Sequence, residues 1–179
     1  MFVGGGVRSG KSRFALQSAL RLGGRRYFVA TAQALDDEMR ERIAAHVRER
    51  GDAFVTREAP FDLAGVLREL TGADVVVVDC LTLWLSNLLL RGDDVQSMLA
   101  QVRDLGDLLR ERRWHSVLVS NEVGMGVVPE SALGRAFRDV CGLAHQHLAG
   151  LSDEVYFGVL GSILRLRPAP VCSVTAEVS

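Results

Sequence analysis

Gly5, Gly10, Lys11 and Ser12 are spaced as G-x-x-x-x-G-K-S inside the run V-G-G-G-V-R-S-G-K-S of residues 3–12. Glycines let the backbone curl so that its N–H groups converge on a polyphosphate, and a helix that follows adds its positive end. At that spacing Lys11 would reach the β- and γ-phosphates, and the Ser12 hydroxyl would ligate Mg²⁺. Lys11 is also the only lysine in a chain that otherwise uses arginine as its base. A Gly-rich turn that merely capped a helix would not call for a compact ammonium at that one position.

Two further groups could do chemistry beside such a loop. The run V-V-V-V-D of residues 75–79 has the form of a strand that delivers Asp79 to the ligand edge of a sheet, where a carboxylate would hold Mg²⁺ directly or through water. Arg42, His46 and Arg50 are four residues apart and share one helix face. A histidine between two guanidiniums suits attack on phosphorus, because the cations favour the neutral imidazole. The same spacing also describes a solvated charged face, and on spacing alone both readings stand. Asn121 and Glu122 close another apolar strand ahead of a glycine-containing loop at 121–128, suited to a substrate loop or to a tight turn. His145 and His147 are two residues apart, on different helix faces, which argues against a joint metal site.

The elements that must position these groups alternate between strand and helix. A short strand leads into the loop, and a helix at 12–22 ends at Gly23-Gly24. A strand is expected at 27–30. An amphipathic helix follows, carrying Leu35, Met39, Ile43 and Val47, capped by Asp36 or Asp37 and stopped by Gly51. Next come a strand at 54–56, a helix at 62–70, the valine strand and a helix at 81–90. A turn at Gly92-Asp93 leads to a helix reaching about residue 113. A strand at 116–120, a helix from Pro129 to about 149, and strands at 155–160 and 163–166 complete the pattern. The tail from 168 is expected to be poorly ordered. Such alternation predicts an α/β fold with a mostly parallel sheet and helices on both faces.

Composition narrows the class. The 179 residues suit a single domain, residues 1–179, with 48% hydrophobic and 24% charged residues. A net charge of −1 gives no electrostatic case for nucleic acid. The most apolar segment, 75–90, is interrupted by Asp79, Thr82, Ser86 and Asn87, so no membrane span is expected. Three cysteines without metal-ligand spacing, and no leader ahead of the loop, predict a reducing, cytoplasmic setting. Trp84 and Trp114 are expected in packing.

Taken in order, the motifs resemble one family. They are G-G-x-R-S-G-K-S (5–12), A-T-A-Q (30–33), D-D-E-M-x-x-R-I-x-x-H (36–46) and T-x-E-A-P (56–60). V-D-C-L-T-L-W-L-S-N-L-L (78–89), V-S-N-E-V-G-M-G-V-V-P-E (119–130) and F-R-D (137–139) follow. Together they look like the bifunctional adenosylcobinamide kinase / adenosylcobinamide-phosphate guanylyltransferase of cobalamin synthesis, from residue 3 to about 167. The resemblance implies a RecA-like P-loop fold. It also implies two reactions: phosphorylation of adenosylcobinamide by a nucleoside triphosphate such as ATP or GTP, then transfer of GMP from GTP to adenosylcobinamide phosphate through a histidine–GMP intermediate.

Carried over by position, His46 becomes that histidine, with Lys11 beside it in catalysis and Arg42 and Arg50 positioning phosphate. Gly5, Gly6, Val7, Arg8, Ser9, Gly10, Lys11 and Ser12 bind the triphosphate. Thr31, Ala32, Gln33, Val47, Arg48, Glu49, Arg50, Glu58 and Asp79 line the nucleotide site, with Ser12 and Asp79 on the metal. A homo-oligomer, a trimer with sites between subunits, is implied as well. The chain departs from the pattern at Gly4, where threonine is common, and at His145, where asparagine is expected. Cys141 and His147 nearby are also unusual for the family. A small-metabolite kinase without guanylyl transfer, and a GTP-binding module, are the competing readings. The latter would want an N-K-x-D motif that the sequence lacks.

Overall fold

The computed structural model describes residues 1–174, apart from the side chains of Arg42 and Glu49. One eight-stranded sheet runs in the order β3-β2-β4-β5-β1-β6-β7-β8. Its strands are β1 (Phe2–Gly5), β2 (Arg26–Ala30), β3 (Val55–Glu58), β4 (Val75–Asp79), β5 (His115–Asn121), β6 (Val155–Val159), β7 (Ser162–Arg167) and β8 (Cys172–Val174). Strands β1 to β6 pair in parallel, and β7 and β8 add antiparallel. The strand before the phosphate loop (β1) and the valine strand (β4) are therefore separated by a single strand, β5.

Helices α1 (Lys11–Leu22), α2 (Asp37–Arg50), α3 (Leu63–Arg68), α4 (Leu81–Arg91), α5 (Val95–Arg110) and α6 (Ala132–Leu151) connect the strands. The sheet is covered on both faces, so its central strands must be apolar on both. In β4 the first four valines are all buried and point alternately into the two cores. Val75 and Val77 meet Phe14, Ala15 and Ala19 of α1, and Val76 and Val78 join Trp84, Leu85, Leu105 and Leu148 from α4, α5 and α6. Trp84 is buried and its indole N–H donates to the Phe61 carbonyl, so its one polar atom is satisfied. Among the described residues no helix is long and apolar enough to cross a membrane.

Capping chemistry sets the boundaries. Asp36 caps α2 through the Met39 N–H, Asp94 caps α5 through Ser97, and Ser131 caps α6 through Gly134. The last of these starts α6 at Ala132, three residues later than Pro129 suggested. The expected tail differs more: after Pro170 the chain returns as β8, pairing Cys172 with Arg165 and Val174 with Ile163. Backbone pairing to an existing edge orders these residues although their side chains carry little periodic signal. Leu160 and Gly161 both take positive φ in the tight turn between β6 and β7.

Candidate active site

The phosphate loop is built by conformation before chemistry. A Cβ at Gly5 would collide with the Gly158 carbonyl of the neighbouring β6, so only glycine lets β1 approach there. Gly10, with φ 88°, sits at the N-cap of α1 in the left-handed region. Lys11 begins the helix, is buried, and donates from Nζ to the Gly6 carbonyl at 3.0 Å, across the mouth of the loop. Ser9 is buried behind the loop, against Gly158.

A cavity of about 540 Å³ opens at this end of the sheet. Val7, Arg8, Ser9, Gly10, Lys11 and Ser12 line one side; Ala32, His46, Arg50 and Asp79 complete the set of expected residues that it gathers. Asp79 ends β4 beside Ser12. Burial pushes its carboxyl above the ordinary range, while the hydrogen bond with Ser12 and the charges of His46, Lys11 and Arg50 pull it back. Groups from three separate stretches of the sequence, at 11–12, 46–50 and 79, thus share one electrostatic environment.

Helix α2 overlies the cavity with an unexpected face. Met39, Ile43, His46 and Arg50 point in, at i, i+4, i+7 and i+11. Leu35 and Val47, the other members of the apolar repeat, are exposed. The repeat is therefore not a core stripe: half of it lines the cavity with the histidine. Arg50 is buried, its guanidinium 3.7 Å from the centre of the Phe28 ring. That stack fixes one cation beside His46. The side chains of Arg42, the other expected cation, and of Glu49 lie outside the described residues.

Several expected residues are placed elsewhere. Glu58 ends β3 exposed, and Gly5, Gly6, Gln33, Val47 and Arg48 do not line the cavity. Thr31 is fully buried and turned away: its hydroxyl donates to the Cys80 carbonyl at 2.7 Å and accepts from the Cys80 N–H at 2.9 Å. It clasps the segment that follows Asp79. Conversely, Arg13, Phe28, Ala30, Cys80, Leu83 and Asn121 line the cavity. Of these Asn121 was singled out by its position at the end of a buried strand, while Ala30, Cys80 and Leu83 lie in quoted motifs without having been named as site residues. His145 and His147 indeed diverge, one toward Ser120 and Glu122, the other toward Gly106 of α5.

Comparison with known proteins now adds to the geometry. The family model described as cobinamide kinase / cobinamide phosphate guanyltransferase matches residues 1–166. The chain belongs to that family. It is accordingly a bifunctional cobinamide kinase and guanylyltransferase of cobalamin biosynthesis. The bifunctional adenosylcobalamin biosynthesis protein CobP of Pseudomonas aeruginosa is 44% identical over 168 residues, 93% of this chain and 96% of the relative. The corresponding Escherichia coli K12 protein, CobU, is 36% identical over 180 residues, 93% of this chain and 99% of the relative. Among solved structures, the RadB recombinase superposes with a TM-score of 0.52 at 17% identity, covering 96% of this chain and 84% of that one. A Pyrococcus horikoshii OT3 protein superposes at 0.55 and 8% identity, covering 92% and 83%. At such identities they speak for the fold alone, which is RecA-like.

Proposed function

We propose that the 540 Å³ cavity is the nucleotide site of the guanylyltransferase reaction and that His46 is its nucleophile. One observation carries the reading: His46 and Arg50 of α2 share a single cavity with Lys11, Ser12 and Asp79. In the first step an imidazole nitrogen of His46 attacks the α-phosphorus of GTP. A P–N bond forms, the bond to the bridging oxygen breaks, and pyrophosphate leaves with the electron pair. In the second step a phosphate oxygen of adenosylcobinamide phosphate attacks the same phosphorus. The P–N electrons return to His46 and adenosylcobinamide-GDP is released. Arg50, pinned under Phe28, is a prearranged cation for the oxygens that gain charge. The kinase step, attack by the corrinoid hydroxyl on the γ-phosphorus of ATP or GTP, draws on Lys11 and the loop N–H groups.

The donor set suits Mg²⁺. Asp79 and Ser12 are hard oxygen donors in hydrogen-bond contact, and Mg²⁺ takes one or two protein oxygens together with phosphates and water. They would hold it, and when bound it would neutralise charge between neighbouring phosphates. The reading further takes residues 1–179 as one catalytic domain, working in the cytoplasm as a trimer, as the family resemblance implies.

The test is incubation with α-³²P-labelled GTP and Mg²⁺, without corrinoid, followed by denaturing electrophoresis. A label that is acid-labile, alkali-stable and absent from His46→Ala is the expected result. Full labelling of His46→Ala would overturn the assignment.

A further inference from the structure

Behind the cavity wall lies a polar chain that the two reactions leave unused. Ser120, at the end of β5, is fully buried, and its Oγ is 2.7 Å from Nε2 of His145 on α6. The Thr82 hydroxyl of α4, also buried, is 3.2 Å from the Ser120 Oγ. Thr82 Oγ1 in turn accepts from the backbone N–H of Asn121 at 2.7 Å. Asn121 lines the cavity, and the next residue, Glu122, donates its N–H to the Gly5 carbonyl at 2.9 Å, at the entry to the phosphate loop. The Glu122 carboxylate comes back to His145, 3.7 Å from Nδ1, and also accepts from the Gly124 N–H.

We infer that His145 is a positioning residue for the nucleotide site, orienting Asn121 and the entry to the phosphate loop through Ser120, Thr82 and Glu122. This rests on the reading of the cavity given above. The hydrogen-bond directions make the case. With neutral His145 carrying its proton on Nδ1, facing the Glu122 carboxylate 3.7 Å away, each of the two hydroxyls donates once and accepts once. The Asn121 N–H donates to Thr82, the Thr82 hydroxyl to Ser120, and the Ser120 hydroxyl to Nε2. Protonating Nε2 makes the ring a donor toward Ser120 and turns the Ser120–Thr82 bond around, so the Thr82 hydroxyl, which already accepts from Asn121, must give its proton to the Cys80 sulfur, a weaker acceptor.

The surroundings keep the imidazole neutral. Burial holds its pKa below the ordinary value, and Glu122 opposes that shift. Glu122 is the carboxylate that bears on the ring. The Cys141 thiol on the same helix is held protonated up to about 12 by burial. Phe2 of β1 meets the ring edge-on at 5.6 Å and carries no charge. A ring in that pocket is useful as an acceptor, which an apolar side chain of the same volume cannot be.

The test compares wild type with His145→Gln and His145→Phe. Gln offers a carbonyl to Ser120 and an amide N–H to Glu122 without titrating; Phe keeps the ring volume and offers neither. Without nucleotide, the Asn121 backbone amide resonance of wild type is expected to titrate together with the His145 ring. It should stop titrating in His145→Gln, and its exchange protection should fall about tenfold in His145→Phe, the scale of one hydrogen bond. With GTP and Mg²⁺ at pH 8, kcat/KM of guanylyl transfer should drop about tenfold in His145→Phe, and His145→Gln should recover most of it. A purely packing role ranks the two variants the other way. That ranking, or an Asn121 titration that persists in His145→Gln, would overturn the inference. Wild-type protein that leaves GTP unturned would sink the nucleotide reading instead, because the amide measurements decide the chain without nucleotide.

Discussion

Replacing Thr31 by valine removes the clasp that holds the segment after Asp79, with almost no change of shape. Two hydrogen bonds are lost. The Cys80 carbonyl keeps a second donor, the Trp84 N–H at 3.2 Å, but the Cys80 N–H is left with nothing on its other side. An unpaired buried donor costs about 1–3 kcal/mol, and the second bond adds about 1 kcal/mol. The expected destabilisation is therefore about 3 kcal/mol. At roughly 2–4 °C per kcal/mol for a chain of this size, Tm should fall by about 6–12 °C. Thr31→Ser, which keeps the hydroxyl and loses one buried methyl, should cost about 1 kcal/mol. Calorimetry or urea unfolding monitored by tryptophan fluorescence reads both. If the valine variant proved as stable as the serine variant, the clasp would be shape and not hydrogen bonding, and the reasoning would fail.

Other outcomes follow from the same geometry. Lys11→Ala should abolish both phosphorylation of cobinamide and GTP-dependent labelling while leaving the far-UV spectrum intact; activity assays with cobinamide and GTP check it. His46→Ala should lose guanylyl transfer and retain part of the kinase activity, measured as ATP-dependent phosphorylation of cobinamide. Gly5→Ala should be destabilised by more than about 2 kcal/mol, because its Cβ would meet backbone of β6 that cannot yield, and GTP affinity should fall with it; unfolding and GTP titration read the two losses. Burial pushes the Cys80 thiol up to about 11 and the Cys141 thiol up to about 12. Both are therefore protonated as well as shielded at pH 8, whereas Cys172 is half-exposed. A thiol reagent at pH 8 should modify about one cysteine in the folded protein and all three in denaturant.

The parts of this enzyme that depend on local chemistry could be read from residue order. The glycine-lysine-serine spacing, the four valines ahead of Asp79, and the Asp36 and Gly51 boundaries of α2 each encode their own geometry within a few residues. Contacts between distant segments could not be read that way. The apolar repeat marked α2 as amphipathic without showing that half of it lines a cavity, because periodicity reports which residues share a face and not what that face meets. Phe28 and Leu83 line the cavity from elements whose neighbours are set by strand order, which no local pattern displays. The hydrogen bonds of the Thr31 hydroxyl to Cys80, 49 residues on, were likewise not legible in residue order. β8 was missed for a related reason: two prolines punctuate the segment before it, and its order comes from the β7 edge.

The position of β1 in the sheet has a consequence for how the enzyme comes into being. Its N-terminal amine bonds to the carbonyl of Ser116, 115 residues away, and its other flank pairs with β6, further on still. The strand that carries the phosphate loop thus precedes both of its sheet neighbours by more than a hundred residues. The loop has one wall once β5 has been made and both only after β6. Nascent fragments ending before β5 can assemble α3 and β2–β4 but have no template for β1, and contacts of such long reach slow folding. The phosphate loop therefore takes its place in the sheet only after both β5 and β6 have been made.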